Sequence, residues 1–549
     1  MNYEGKPVFG FIDHLARLRL LALVTVCVAP YLVMAVWLTV HKGVPATAGY
    51  LIASSIVVGL LAVIMRYQRR FFLAHFPVLV VTTIFAAFAV VQATLPGAAI
   101  AYVLVTSAWE EVLSLFSLWE YQRILLASLA FLILYLALSW GLPARVPLRA
   151  GGRLWRRSAI GAFGLLGAAA ATQPVDFLEG IAASPAVGAA IFLTGPLAQA
   201  RAAVLGPKQH KLPYGAVPMT GDALHVLIIG ESARRESWSV YGYGRRTTPY
   251  LESIRDQAIF FQHAFSDANA TIYAVPILLT GINPRSLSMT GFRGNLVDLA
   301  KEAGYRTSWL VNNDAWISYL LGMAADDTVY QHTVYASMAI NAQPDGVLLP
   351  LLQRRLAEHH GLQFIGIHTL GSHVEYSHRY PPTFRHFGSA GPTRFFGSGR
   401  DQETLDMYDD SVLYTDWLLG QVIEAARGVD VPTTITYVAD HGEELGLLDG
   451  RSGHGFPIYS QASFSIPAFV WFNAAFRRAH PDKVAALILN RDQTIRTHDF
   501  FYTIADLMGI RWPGFVARRS FASPDFVPDL TSPFIVAGNL MTNTNQPAP

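Results

Sequence analysis

Hydrophobic and polar positions divide the chain into two regimes. In the first, long apolar runs recur at 18–40, 46–65, 71–91 and 124–142, free of charged residues but for Arg19 at the start of the first, and each can cross a hydrocarbon core of about 30 Å as a helix. A shorter Ala/Gly-rich run at 156–172, with Arg and Trp at its leading edge, makes a fifth. In the second regime, from residue 222 on, apolar runs shrink to strand length at 225–229, 307–311, 363–367, 433–438 and 466–472. They alternate with helix-like stretches at 295–303, 405–427 and 499–508. Short buried strands separated by helices predict a mostly parallel sheet covered on both faces.

Charge between the long runs sets an orientation. Arg17 and Arg19 flank the start of the first, Arg66, Arg69 and Arg70 separate the second and third, and Arg145, Arg149 and Arg153, with Arg156 and Arg157 at the leading edge of the fifth, follow the fourth. Positive segments stay in the cytoplasm, so five crossings leave everything after residue 172 outside. The alternate loops hold Lys42 in one case and Glu110, Glu111 and Glu120 in the other. No small-residue cleavage site follows the first run, which reads as an uncleaved anchor. Residues 180–200 are also uncharged, and as a sixth span they would return the C-terminal half to the cytoplasm. Their apolarity is mostly Ala and Gly, and Pro185 and Pro196 would break a spanning helix, so short helices on the membrane surface fit better. The expected organisation is a transmembrane α-helical domain at 1–172, surface helices and a Pro/Gly/Lys-rich linker at 173–221, and an α/β/α domain at 222–549.

Composition agrees with that division. The 549 residues are 52% hydrophobic and only 15% charged, with a mean hydropathy of +0.31, too apolar for a soluble enzyme of this length and too long for one core. A net charge of +2 says little about partners, and no nucleic acid is expected among them. Cys27, the single cysteine, lies within an apolar run. No intrachain disulfide can form, and carboxylates and imidazoles are left as the donors for any metal.

Polar groups collect where the predicted strands end. The first runs into Gly230-Glu231-Ser232, the second into Asn312-Asn313-Asp314, the third into His368 and then Gly371-Ser372-His373, and the fourth into Asp440-His441-Gly442-Glu443. Ligands bind outside the carboxyl ends of strands in open parallel sheets. Taken singly, each group has an ordinary reading: Glu231 as a solvated loop acid, Asp440 as a helix cap beside a surface His441. Together they form a set suited to zinc, manganese or magnesium. In the stretch from Asp267 to Pro276, Thr271 stands at the start of a helix-like segment. It is either a nucleophile near the positive end of a helix dipole or merely an N-cap.

These stretches resemble, in order and over roughly the whole chain, the membrane-anchored phosphoethanolamine transferases of the alkaline phosphatase and sulfatase superfamily, which include the lipid A modifying enzymes of colistin resistance. The matching segments are Gly230-Glu231-Ser232-Ala233-Arg234 with Tyr241-Gly242-Tyr243-Gly244-Arg245, Thr271 to Pro276, and His368 with Gly371-Ser372-His373. Tyr408-Asp409-Asp410-Ser411 with Tyr414-Thr415-Asp416, Asp440-His441-Gly442-Glu443 and Gly453-His454-Gly455 complete them.

The resemblance implies that Glu231, Thr271, Asp440 and His441 hold a catalytic zinc and that Thr271 forms a phosphoethanolamine-threonine intermediate. It implies that His373 and His454 bind the phosphate, protonate a leaving oxygen or hold a second metal ion. Asn313 and His368, with Glu110 or Glu111 in an outer loop, would contact the donor, phosphatidylethanolamine. The acceptor would be lipid A, the lipopolysaccharide core or a periplasmic glycan, and the enzyme would sit in the bacterial inner membrane with its catalytic domain in the periplasm. Two departures stand out: the lipid A enzymes carry several disulfides and this chain can have none, and Ser232 stands where many relatives have Thr, an exchange expected to be harmless. A phosphoglycerol transferase of the lipoteichoic acid synthase type remains an alternative, as does a non-catalytic transport or scaffold protein. A sulfatase needs Cys or Ser in a C/S-x-P-x-R context, which the sequence lacks.

Overall fold

The computed structural model describes residues 7–42, 44–64, 67–92, 119–142, 181, 183–194, 213–288, 292, 294–313, 315–331, 343–358, 360–374, 376–388, 402–446, 452–455, 460–536 and 539–541. The described residues form two compact units, one up to residue 194 and one from residue 213 on.

The first unit is helical: α1 (Pro7–Lys42), α2 (Val44–Ile64), α3 (Gln68–Gln92), α4 (Trp119–Trp140) and α5 (Pro185–Thr194). The predicted runs at 18–40, 46–65, 71–91 and 124–142 fall on the first four, while 156–172 lies outside the described residues. Among the described residues, two helical stretches, Leu18–Val40 and Gln68–Ala86, are long and apolar enough to cross a membrane by length and composition. Ala46–Val58 and Leu125–Trp140 are shorter apolar stretches. Leu21, Val36, Leu126 and Ile133 point outward, while polar groups bond inside: Tyr31 OH pairs with His75 Nε2 at 2.8 Å, and Tyr135 OH donates to the Phe72 carbonyl at 2.9 Å. This inside-out arrangement is what a lipid solvent selects, since an internal partner replaces the water that such groups would otherwise bond.

Pro185, expected to break a spanning helix over 180–200, opens the short helix α5. At the first helical position it loses no hydrogen bond, and its fixed φ suits the helix. The ten residues of α5 rise about 15 Å, half of what a crossing needs.

The second unit is built on a seven-stranded mixed sheet. Its strands are β1 (Ala223–Gly230), β2 (Ala258–Phe260), β3 (Arg306–Val311), β4 (Asp327–Tyr330), β5 (Leu362–His368), β6 (Thr433–Ala439) and β7 (Ala468–Phe472), in the order β2-β7-β6-β1-β5-β3-β4. All pairings are parallel except those of β7, which runs against both β6 and β2. β5, β6 and β7 are buried throughout, and β1 in all but its first residue, as expected for a sheet covered on both faces. Helices used below are α6 (Thr271–Thr280), α7 (Leu296–Glu302), α8 (Leu349–Ala357), α9 (Gln402–Arg427) and α10 (Thr497–Leu507). The mostly parallel sheet agrees with the sequence reading, and the predicted strands differ from the observed ones only at their ends. The two edge strands β2 and β4 were not foreseen.

Candidate metal centre and nucleophile

Strand register brings the site together. Gly230 pairs with Ala439, while Ile229 and Val311 both pair with His368. The residues that follow therefore leave the sheet side by side, and Asp440 N donates to the Gly230 carbonyl at 2.9 Å. Gly371 allows the turn after β5 to lie directly on Glu231: its φ is 50°, and an added Cβ would stand 2.6 Å from the Glu231 carbonyl oxygen. Asp345 fixes the same turn from below, accepting from Leu370 N at 2.8 Å and Gly371 N at 2.9 Å.

Thr271 is the first residue of α6, and Ala270 occupies the N-cap. The threonine side chain is thus not used as a cap and faces the strand ends instead. Its Oγ1 donates toward Glu231 Oε1 and Oε2, at 3.1 and 3.2 Å, and lies 3.1 Å from His441 Nε2. His441 Nε2 is 3.4 Å from Glu231 Oε1 and 3.3 Å from Asp440 Oδ2. These separations match the edges of a tetrahedron around an ion with bonds of about 2.0 Å, which are about 3.3 Å long.

Partners of the remaining atoms point the same way. His441 Nδ1 lies 2.8 Å from the Gly442 carbonyl, which can only accept, so Nδ1 carries a proton and Nε2 is the nitrogen directed at the cluster, free to ligate a cation once it loses its own proton. Asp440 Oδ1 accepts from Ser232 N and His441 N, whereas the buried Oδ2 has no hydrogen-bond partner. Ligand atoms of Glu231, His441 and His454 also lie within 4.8 Å of one another. Nδ1 of His454 is engaged by Glu443 Oε2 at 2.8 Å, leaving Nε2 free, but it is the unpartnered Asp440 oxygen, 3.3 Å from His441 Nε2, that completes the set of 3.1–3.4 Å separations, and His454 stands beside it. The donor set fits zinc.

Electrostatics express the same need for a cation. Burial would raise the Glu231 carboxyl, but the hydrogen bond and charge of His441, with His373 and His454 behind it, hold it well below the ordinary range. Burial and the neighbouring Glu231 push Asp440 well up. Burial disfavours the imidazolium of His441, yet Asp440 and Glu231 raise it to about 10. Without a metal, Asp440 and His441 keep protons beside the ionised Glu231, and a bound cation would displace them.

Two further imidazoles face this cluster. The ring of His454 is 4.3 Å from that of His441 and 5.1 Å from that of His373. Burial keeps both neutral, with His454 lowered to about 3 and His373 well below its ordinary value. Glu443, pushed up to about 8 by burial, accepts from Tyr376 OH at 2.5 Å and fixes the orientation of His454.

Of the residues singled out from sequence, Glu231, Thr271, Asp440, His441, His373 and His454 converge here. His368 ends β5, buried with no hydrogen-bond partner for Nε2. Asn313, expected to touch a donor, gives its amide hydrogens to Glu231 Oε2 at 3.0 Å and the Thr369 carbonyl at 2.7 Å. That contact holds the Glu231 carboxylate. Glu110 and Glu111 lie outside the described residues. Sequence reading missed Ser232, Asp345 and Asp267 as parts of the site's support, and only the nearness of Ser232 and Asp267 to named residues hinted at them.

Residues 224–510 match the family described as Sulfatase. The putative transferase YhbX of Escherichia coli (strain K12) is 33% identical over 261 residues, covering 46% of this chain and 44% of that protein. The chain thus spans about half the length of the relatives it matches. The integral membrane protein lipooligosaccharide phosphoethanolamine transferase A (EptA) from Neisseria meningitidis has a similar fold, with a TM-score of 0.67 at 20% identity over 89% of this chain and 97% of that one. The C-terminal periplasmic domain of EcEptC from Escherichia coli, solved as a complex with Zn, aligns with a TM-score of 0.52 at 24% identity over 62% of this chain and 98% of the domain.

Proposed function

We propose that this chain, which belongs to the Sulfatase family, is a membrane-anchored transferase that moves phosphoethanolamine from phosphatidylethanolamine to an envelope acceptor through a covalent intermediate on Thr271. The observation that carries this reading is the Thr271 hydroxyl, at the first turn of α6, within 3.1–3.2 Å of Glu231 and His441 with two neutral imidazoles beyond. The name of the EptA protein, a phosphoethanolamine transferase, and the zinc in the EcEptC domain support the group transferred and the metal.

Glu231, Thr271, Asp440 and His441 would hold one zinc ion, and a second beside His373 and His454 is compatible with the reading. Bound zinc would lower the pKa of the Thr271 hydroxyl and offset charge on the phosphoryl oxygens. Thr271 Oγ1 forms a P–O bond to the headgroup phosphorus while the P–O bond to diacylglycerol breaks. The threonine proton passes to the diacylglycerol oxygen, carried at Nε2 of His454, whose Nδ1 is fixed by Glu443. Free N–H groups at the start of α6 favour the negative charge that develops there. In the second half, an acceptor hydroxyl or phosphate on lipid A, lipopolysaccharide core or a periplasmic glycan takes the group, and Thr271 Oγ1 regains a proton.

Five spans, 156–172 being the fifth, would anchor residues 222–549 at the outer face of the inner membrane, the height at which lipid headgroups lie. Glu110 or Glu111 would meet the donor's ammonium. The test is incubation of the full chain with phosphatidylethanolamine or phosphatidylglycerol vesicles, followed by mass spectrometry of lipids and tryptic peptides. Diacylglycerol release and a phosphoethanolamine adduct on the Thr271 peptide, both absent in folded Thr271→Ala, are expected. Release from phosphatidylglycerol alone, or turnover by the variant, would refute the reading.

A further inference from the structure

Among the described residues, Ser232 is the one non-glycine with positive φ, at 53°. Such a conformation persists in a non-glycine residue only where its surroundings over-determine it. Tyr408 of α9 does so here: its hydroxyl donates to the Ser232 carbonyl at 2.8 Å and accepts from Arg234 N at 2.9 Å, bracketing the turn from both sides.

The turned backbone has a consequence for the site. Ser232 N donates to Asp440 Oδ1 at 3.1 Å, while its hydroxyl donates to Glu231 Oε1 at 2.8 Å. One residue therefore touches two carboxylates that arrive from different strands. The hydroxyl also lies 3.3 Å from His454 Nδ1, but that nitrogen has the closer partner in Glu443, so the hydroxyl proton goes to Glu231. With Asn313 on Oε2, each Glu231 oxygen has a second donor besides Thr271, and the carboxylate is fixed against rotation. Glycine would supply the same φ without strain, yet could not supply the hydroxyl.

We propose that Ser232 is a positioning residue for the metal centre, keeping its strained backbone so that its N–H and O–H together set the spacing of Asp440 and Glu231. The inference rests on the reading of those two carboxylates as zinc ligands. Groups that orient metal ligands change affinity about 10- to 100-fold when removed.

The experiment uses the full chain in detergent, stripped of metal and titrated with zinc against a competing chelator, with the thermal midpoint of the metal-free form measured alongside. Ser232→Ala and Ser232→Gly are expected to bind zinc about 10- to 100-fold more weakly, Ser232→Thr to keep wild-type affinity, and Ser232→Gly to keep the wild-type midpoint because its backbone is relaxed. Glu231→Ala serves as the reference. Wild-type zinc affinity in Glu231→Ala overturns the ligand set and this role with it. Wild-type affinity in Ser232→Ala and Ser232→Gly beside a defective Glu231→Ala overturns the role alone. So does a Ser232→Thr variant as weak as Ser232→Ala, or a Ser232→Gly midpoint that falls together with its affinity, which would mark a residue that only supports the fold.

Discussion

Replacing Asp267 by Asn should loosen Thr271, the proposed nucleophile, without touching it. Asp267 lies four positions before Thr271 and is fully buried. Its Oδ2 accepts from Thr497 Oγ1, His498 N and His498 Nδ1, each at 2.8 Å, and its Oδ1 is 2.6 Å from Arg496 Nη2. The backbone beside it is tied on both sides: Ile535 N donates to the Asp267 carbonyl, Asn269 N to the Ile535 carbonyl, and Gly455 N, next to His454, to the Asn269 carbonyl. Burial opposes ionisation, but Arg496 and then His498 hold the Asp267 carboxyl well below its ordinary value. The Asn variant leaves a buried guanidinium facing a neutral amide, a loss of about 3–5 kcal/mol for a broken buried pair. At about 2.1 cal/mol/K per residue over roughly 330 residues of the second unit, that is a fall of about 4–7 °C in midpoint. Because the folded pKa is depressed, this stabilisation is present above the unfolded value of about 4 and is lost as the pH falls further. The gap between wild type and variant should therefore be full at neutral pH and narrow in acid. Tryptophan fluorescence of the full chain during heating measures it, and a displacement of Thr271 near 1 Å would lower turnover by about 10²-fold. A midpoint within about 1 °C of wild type at pH 7, against the loss expected for a buried pair, would refute the argument.

Two further outcomes follow from contacts away from the nucleophile. Asn313→Ala removes the donor to Glu231 Oε2 and should weaken zinc binding about 10-fold or more with the fold intact; unchanged affinity in a chelator competition would show that the amide does not orient the carboxylate. His225, buried in β1 with Nδ1 2.7 Å from Thr434 Oγ1, is lowered to about 3 by burial and then by His480. The unfolded chain takes up that proton first, so its contribution is complete above about pH 6.5 and is lost as the pH falls toward the folded value. His225→Phe should cost about 1–3 kcal/mol at neutral pH by stranding the Thr434 hydroxyl, yet flatten the acid limb in denaturant titrations; equal acid slopes in both proteins would contradict this.

What the sequence could reveal follows from how far each interaction reaches along the chain. β1, β3, β5, β6 and β7 read as apolar runs because they are largely buried, and in the parallel strands β1, β3, β5 and β6 the residue at which the run stops leaves the sheet toward the site, whereas the antiparallel β7 stops at the opposite edge. Glu231, Asp440, His441 and His373 were visible for that reason. Edge strands carry no such signal: β2 has three residues and β4 is half-buried along its whole length. Roles that depend on a distant partner were out of reach. Asp267 meets Arg496 and His498 across more than two hundred residues, and nothing beside Asp267 tells its carboxylate from a turn-forming one. The contact of Asn313 with Glu231 was not legible, because an amide at a strand end can serve a ligand or a carboxylate equally well until the opposing strand is positioned. Ser232 is the sharpest case. Its exchange with Thr preserves a hydroxyl, which made it look indifferent, but the backbone sign that gives the hydroxyl its direction is imposed by Tyr408, from a helix more than 170 residues away. The proposed metal ligands were thus legible as chemistry, and the groups that aim them were legible only as geometry.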